Sequence, residues 1–294
     1  MGMGSYSLDN RAARSEAEGY SSRSLREIFS QRNINRAMNP NGVKLRESRD
    51  SEEHPESVAI ILGLDVTGSM GSIPYHLVQE GLPKIMGRII QSGTKDPQLM
   101  FLALGDHEYD QSPLQVGQFE SSDELLDKWL TNVYLEGGGG GNTGESYLLA
   151  WYFAAFHTST DCFEKRKKKG FLFTIGDEPT LPDIPANDLR IIMGDGQYAS
   201  YQAATLLDKA RESYHVYHLH IKQTYAGNMQ ETMDGWKQLL GDHLIILENH
   251  EEVSTVIPEI IADVIHADVT HSDIAHGGSA TSSTSSIPKT EIIL

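Results

Sequence analysis

The amino-acid sequence predicts an α/β fold, doubly wound, with a mainly parallel central sheet flanked by helices. Three observations predict it. Short apolar runs alternate with longer stretches of helical periodicity along most of the chain. The first runs, 58–64 and 99–104, are apolar without alternation, as expected of strands covered on both faces. Carboxylates, hydroxyls and glycines stand directly after several runs, where open α/β sheets form their binding crevice.

The elements follow in order. Residues 58–64 are rich in β-branched side chains and open the domain as a buried strand. A helix is predicted over 73–91, with Leu77, Val78, Leu82, Ile85, Met86, Ile89 and Ile90 on its apolar side. The run 99–104 is the second strand. Residues 114–119 alternate apolar and polar after Pro113, the pattern of a short edge strand. Ser121 or Ser122 is placed to cap a helix over 123–134, and 145–157 reads as a strongly apolar helix. A strand at 170–175, a helix at 198–213, a strand at 216–221, a helix at 229–240, a strand at 244–247 and a closing helix at 253–265 complete the alternation.

Charge and composition bound the function. The 294 residues carry 24 Lys and Arg against 41 Asp and Glu, a formal charge of −17. That balance argues against nucleic acid and against anionic membranes as partners. With 39% apolar residues and 27 glycines, the composition is that of a globular chain. No apolar run approaches the ~20 residues that span a bilayer, and no signal-like apolar core stands near Met1. Cys162 is the single cysteine, so no internal disulfide forms. The expectation is a cytoplasmic protein.

The same reading divides the chain into an arm at 1–56, a domain at 57–270 and a Gly/Ser/Thr-rich tail at 271–294. Residues 1–50 hold nine basic and six acidic side chains, which leaves −20 on the rest. Residues 24–38 show helical periodicity at Leu25, Ile28 and Phe29, with Ser24 and Glu27 spaced as a capping box. Such a helix packs on its own domain or docks on a partner subunit. Residues 277–286 have the composition of a flexible linker. They lead to an apolar tip, Thr290-Glu291-Ile292-Ile293-Leu294, which stays unstructured, adds to a sheet edge or enters a partner.

Three loops carry chemistry. After the first strand comes Asp65-Val66-Thr67-Gly68-Ser69, a carboxylate and two hydroxyls at alternate positions. The glycine run 137–141 leads into Asn142-Thr143-Gly144-Glu145. Gly176-Asp177-Glu178 follows the strand at 170–175. Hard oxygen donors of this kind suit Mg2+, or Mn2+, that keeps several waters and one open position. Taken alone, Asp65 is a helix N-cap, Asp177 a turn residue and the glycine run a loop. The glycine run is no phosphate loop, since no Gly-Lys-Ser/Thr follows it.

Asp65-Val66-Thr67-Gly68-Ser69 resembles the D-x-S/T-x-S signature of the von Willebrand factor A (VWA) family, intracellular type. The resemblance covers about residues 57–270. It implies a metal-ion-dependent adhesion site, or MIDAS, in which Asp65, Thr67 and Ser69 hold Mg2+ with Asp177 as the distal carboxylate. Thr143 is the implied middle ligand, with Asn142 as the alternative. Gly176-Asp177-Glu178 departs from the more common Thr-Asp-Gly of the family. Asp106, in the acidic segment 105–110, resembles a rim carboxylate of some members; the plainer reading is a solvated turn.

The function this implies is binding without catalysis. A partner protein's Asp or Glu fills the open position of the metal, within an intracellular multiprotein assembly or beside a MoxR-type AAA+ ATPase. The alternative is a structural or assembly component, of a phage or other particle, that makes its contacts through arm and tail. A metal phosphohydrolase has the least support, because no G-x-S-x-G and no ordered Cys–His pair is present. His215, His218 and His220 read as core histidines, and the basic run 165–169 as a solvated corner.

Overall fold

The structure is a computed structural model that describes residues 24–77, 81–135 and 141–276, together with Tyr6 and Glu16. The tail tip, most of the glycine run and Val78 lie outside the described residues. Six strands build the main sheet: β2 (Val58–Asp65), β3 (Pro97–Leu104), β4 (Leu114–Val116), β6 (Gly170–Gly176), β9 (Tyr214–Ile221) and β10 (Leu244–Leu247). Their order is β10-β9-β6-β2-β3-β4, parallel throughout except for the antiparallel edge strand β4. From β2 the chain winds outward to β3 and β4, then returns to the other side of β2 for β6, β9 and β10. The winding therefore reverses at β2, which places a crevice at the carboxyl ends of β2 and β6.

Period-two alternation sends the two faces of each strand into two cores. Ala59 and Ile61 of β2 pack with Leu172 of β6, Val216 of β9 and the wholly buried start of helix α5 (Leu148–Phe156). Helices α7 (Ala186–Met193), α8 (Ala203–Ser213) and α9 (Gln230–Leu240) complete that layer. Ile60, Leu62 and Leu64 pack with Phe171, Phe173 and Leu219 on the opposite side. There α3 (Leu82–Gln91), α4 (Asp123–Thr131) and the long α10 (Val253–His276) cover the sheet. Full burial of each such aliphatic side chain stabilises the fold by roughly 1.5–3 kcal/mol. Among the described residues no helix is long and apolar enough to cross a membrane.

Several elements differ from expectation. The helix expected over 24–38 is confined to α1 (Leu25–Ile28). Asn35 folds its side chain back onto the Ala37 N–H at 2.9 Å, a local turn that competes with helix. Glu27 does reach back to the Ser24 N–H at 2.7 Å, which is half of the capping box. The helix expected over 73–91 is described as α2 (Ile73–His76) and α3, with Pro74 in the first turn of α2. The closing helix runs past residue 265 to His276. Helix α7 was not expected: Pro185 precedes it, and it buries only Leu189, Ile192 and Met193.

Residues 38–50 are held on the domain. Met38 is fully buried, and its carbonyl accepts the Val116 N–H of β4 at 2.8 Å. Strand β1 (Arg46–Ser48) pairs in parallel with β5 (Thr158–Thr160). Next to this pair Asp161, at the start of α6 (Asp161–Glu164), accepts from Arg49 at 2.9 Å and from the Asp50 N–H at 2.9 Å. Lys165 lies 2.6 Å from the same carboxylate. A second short pair, β7 (Asp183–Ile184) with β8 (Tyr201–Gln202), flanks α7.

Candidate metal centre

Asp65 is the last residue of β2, and the β2–β6 register that pairs Leu64 with Ile175 sets it beside Gly176. The chain turns sharply after it. Oδ1 of Asp65 accepts the Thr67 N–H at 2.9 Å and the Thr67 hydroxyl at 2.6 Å. Thr67 is the N-cap residue of the single 3-10 turn Gly68–Met70, yet its side chain makes no cap bond there. Its hydroxyl is turned back to Asp65 and lies 3.2 Å from the Ser69 hydroxyl. Ser69 in turn donates to Oδ1 of Asp177 at 3.0 Å. Asp65, Thr67, Ser69 and Asp177 thus form one continuous cluster, and both carboxylates are fully buried. The N-cap position is held by Thr67 and not by Asp65, so the plain reading of Asp65 as a helix cap does not hold.

The sequence missed the residue that completes the far side of Asp65. Tyr147 donates its hydroxyl to Oδ2 of Asp65 at 2.6 Å. A Cβ on Gly176 would come within 1.8 Å of that hydroxyl. This accounts for the glycine at this position: only a bare backbone leaves space for the tyrosine. Tyr147 lies at the head of an apolar helix and reads in sequence as core. Gly176 next to the aspartate was the one available signal.

The electrostatics are one-sided. Burial, and then repulsion from Asp177, push Asp65 up to about 7. Glu145 is pushed up to about 10 by burial and by the charges of Asp65, Glu178, Asp110 and Asp106. Burial, with Asp177 and Asp106, raises Glu178 to about 7. Asp106 is also raised, chiefly by burial. Oδ2 of Asp177, Oδ2 of Asp106 and Oε2 of Glu145 are buried without a hydrogen-bond partner among the described residues. Crowded carboxylates with unbonded oxygens fit a bound cation, whose charge would be the largest in the site. Among the described residues no three His, Cys, Asp or Glu side chains gather in ligating range. The donor set of two carboxylates and two hydroxyls, all oxygen, suits Mg2+ that retains water.

The other expected residues make no hydrogen bond to this cluster among the described residues. Thr143 is exposed, and no hydrogen bond joins it to the cluster among the described residues. Asn142 donates to Glu108 at 2.8 Å and neighbours Asp106. Asp106 organises its own loop: it accepts the Glu108 N–H at 2.8 Å and donates its N–H to Asp110 at 2.8 Å. His218 stacks on Trp236 with ring centroids 3.7 Å apart, and its Nδ1 meets Thr174 at 2.9 Å. His220 uses Nε2 on the Gly227 carbonyl at 2.8 Å. Both rings are buried, which pushes them down and keeps them neutral; each leaves its other nitrogen unbonded. In the basic run, Lys165 and Arg166 are engaged by Asp161 and Asp50.

The fold and its rim define a doubly wound α/β domain with a buried, oxygen-only acidic cluster at the switch point. No family model and no curated protein matches the chain. Solved structures are similar to it at low identity. One is the pilus adhesin SpaC from Lactobacillus rhamnosus GG in its open conformation, 12% identical with a TM-score of 0.47, over 74% of this chain and 31% of that one. Another is the vWF domain of the type V pili tip protein Mfa5 from Porphyromonas gingivalis, 12% identical with a TM-score of 0.46, over 78% of this chain and 98% of that one. A von Willebrand factor type A protein from Catenulispora acidiphila is 13% identical with a TM-score of 0.40, over 70% of this chain and 42% of that one. The match spans about a third of the adhesin's length.

Proposed function

We propose that the rim is a divalent-cation site that binds a partner protein. The observation that carries this reading is the buried Asp65–Ser69–Asp177 cluster, with Oδ2 of Asp177 unbonded and no Lys or Arg bonded to it among the described residues. Asp65, Thr67, Ser69 and Asp177 would hold Mg2+, with Thr143 as the middle ligand and Asn142 as the alternative. A bound Mg2+ supplies the positive charge that makes a single contact with a partner's Asp or Glu strong. Tyr147 fixes Asp65, and Ser69 fixes Asp177, before any partner arrives. The reading is of a binding module and not an enzyme, working in an intracellular assembly or beside an AAA+ ATPase.

The test is titration of the full chain with Mg2+ by calorimetry, with Asp65→Ala alongside, followed by capture of partners from lysate in Mg2+ and in EDTA. Binding of Mg2+ to the natural chain, its loss in Asp65→Ala, and a partner held only in Mg2+ are expected. A chain that takes up no Mg2+, or a partner held equally in EDTA, would sink the reading.

A further inference from the structure

A cleft of about 350 Å3 opens at the opposite end of the sheet from the acidic rim, between the amino ends of β2 and β6 and the middle of α10. Val58, Phe171 and Ile265 line it, and Cys162 lies in its wall. Lys168 and Lys169 stand at its border. In a chain of formal charge −17 this is a cationic place. Arg166 is committed to Asp50 and Lys95 to Glu56, but the Lys168 ammonium has no partner among the described residues. Lys169 donates to the Arg211 carbonyl, which leaves its charge uncompensated. Asp268 and Glu56 are the opposing acids in the wall, Glu56 paired with Lys95. An apolar floor with a cationic border calls for an occupant that is aliphatic and carries an acid.

The chain itself contains such a segment. Residues 291–294 read Glu-Ile-Ile-Leu. Helix α10 starts at the carboxyl rim after β10, runs down the sheet past the cleft at Ala262 to Asp268, and ends at His276. From His266 to His276 is about 15 Å of helix. The stretch 277–290 is Gly, Ser and Thr-rich over most of its length. Fourteen residues can cover at most roughly 46–50 Å, so the segment that follows them is within reach of the cleft. The acidic rim is the wrong destination, because it lies at the other end of a 24-residue helix and repels Glu291.

We propose that the cleft at the amino ends of β2 and β6 is the docking site for this chain's own segment 291–294. Ile292, Ile293 and Leu294 enter the apolar floor and Glu291 meets Lys168 and Lys169. The proposal does not depend on metal binding at the rim. The test places the photo-crosslinker benzoylphenylalanine at position 293 of the full chain and maps the products by mass spectrometry. A mixture of light and isotope-labelled chains separates links within one chain from links between two. Links to the peptides holding Val58, Phe171 or Ile265 of the same chain are expected. Lys168→Glu, a change at an exposed position, should lower their yield about threefold or more, the size of one surface ion pair. Links to a second chain, links elsewhere on the domain, or no link at all would overturn the proposal.

Discussion

The hydroxyl of Tyr147 donates to Asp65 at 2.6 Å across 82 positions of sequence, and both groups are sealed from solvent. Removing the donor leaves a buried carboxylate oxygen unbonded. Tyr147→Phe is therefore expected to cost about 1.5–3 kcal/mol of stability, the range for hydrogen bonds to charged groups, measured by urea unfolding. Gly176→Ala is expected to be worse, since its Cβ would overlap the same hydroxyl at 1.8 Å. A Gly176→Ala chain as stable as the natural one would contradict this packing.

Asp177→Asn separates stability from binding. Without metal, replacing one of two facing buried carboxylates relieves repulsion on Asp65, and the melting temperature should rise. Added Mg2+ should then raise it no further, whereas the natural chain gains about 2.7 kcal/mol at a hundredfold excess over Kd. Thermal melts with and without 10-fold steps of Mg2+ give both numbers. An Asp177→Asn chain with the full metal-induced shift would exclude Asp177 as a ligand.

Thr143 and Asn142 are told apart by the same titration. Asn142 is tied to Glu108, and Thr143 is exposed with its hydroxyl bonded to none of the described residues. Thr143→Ala is expected to weaken Mg2+ binding about tenfold, the lower bound for loss of an orienting group at a metal. Asn142→Ala should leave the affinity within about twofold. The reverse order would move the middle ligand to Asn142.

Acid should loosen the join between residues 46–50 and the domain. Burial alone would raise Asp161, but hydrogen bonds from Lys165, from the Asp50 N–H and from Arg49 outweigh it and hold the carboxyl down to about 2. A depressed carboxyl contributes stability above its unfolded value near 4, and this is lost as pH falls through its folded value. The natural chain should lose about 1–2 kcal/mol between pH 4.5 and 2 from this group. Asp161→Asn should already lack it at pH 7 and show a flatter acid limb. Hydrogen exchange of the Arg46–Ser48 amides locates the loss; unchanged protection there would refute the assignment.

Much of the fold was legible because burial on both faces writes itself as unbroken apolar runs. Strands β2, β3, β6 and β10 and helices α5, α8 and α9 lie where their runs stand, with ends shifted by a few residues. The short pair β1–β5 was not legible. Arg-Glu-Ser and Thr-Ser-Thr carry no apolar alternation, and what holds them is the Asp161 knot more than 100 positions from Arg49. The site divided the same way. Asp65, Thr67 and Ser69 lie two residues apart, so one turn gathers them, and the turn is visible in sequence. Tyr147 and Glu145 reach the cluster through the topology of the sheet, and their helix head looks like ordinary core.

Asp65 ends β2 and Asp177 directly follows β6, two neighbouring parallel strands locked in register from Ile60 with Phe171 to Leu64 with Ile175. The spacing of that ladder is a property of the peptide backbone, about 4.8 Å, and does not stretch to suit an ion. The sheet thus works as a gauge for the two turns that leave it: a cation held between them would adjust to that spacing through its waters.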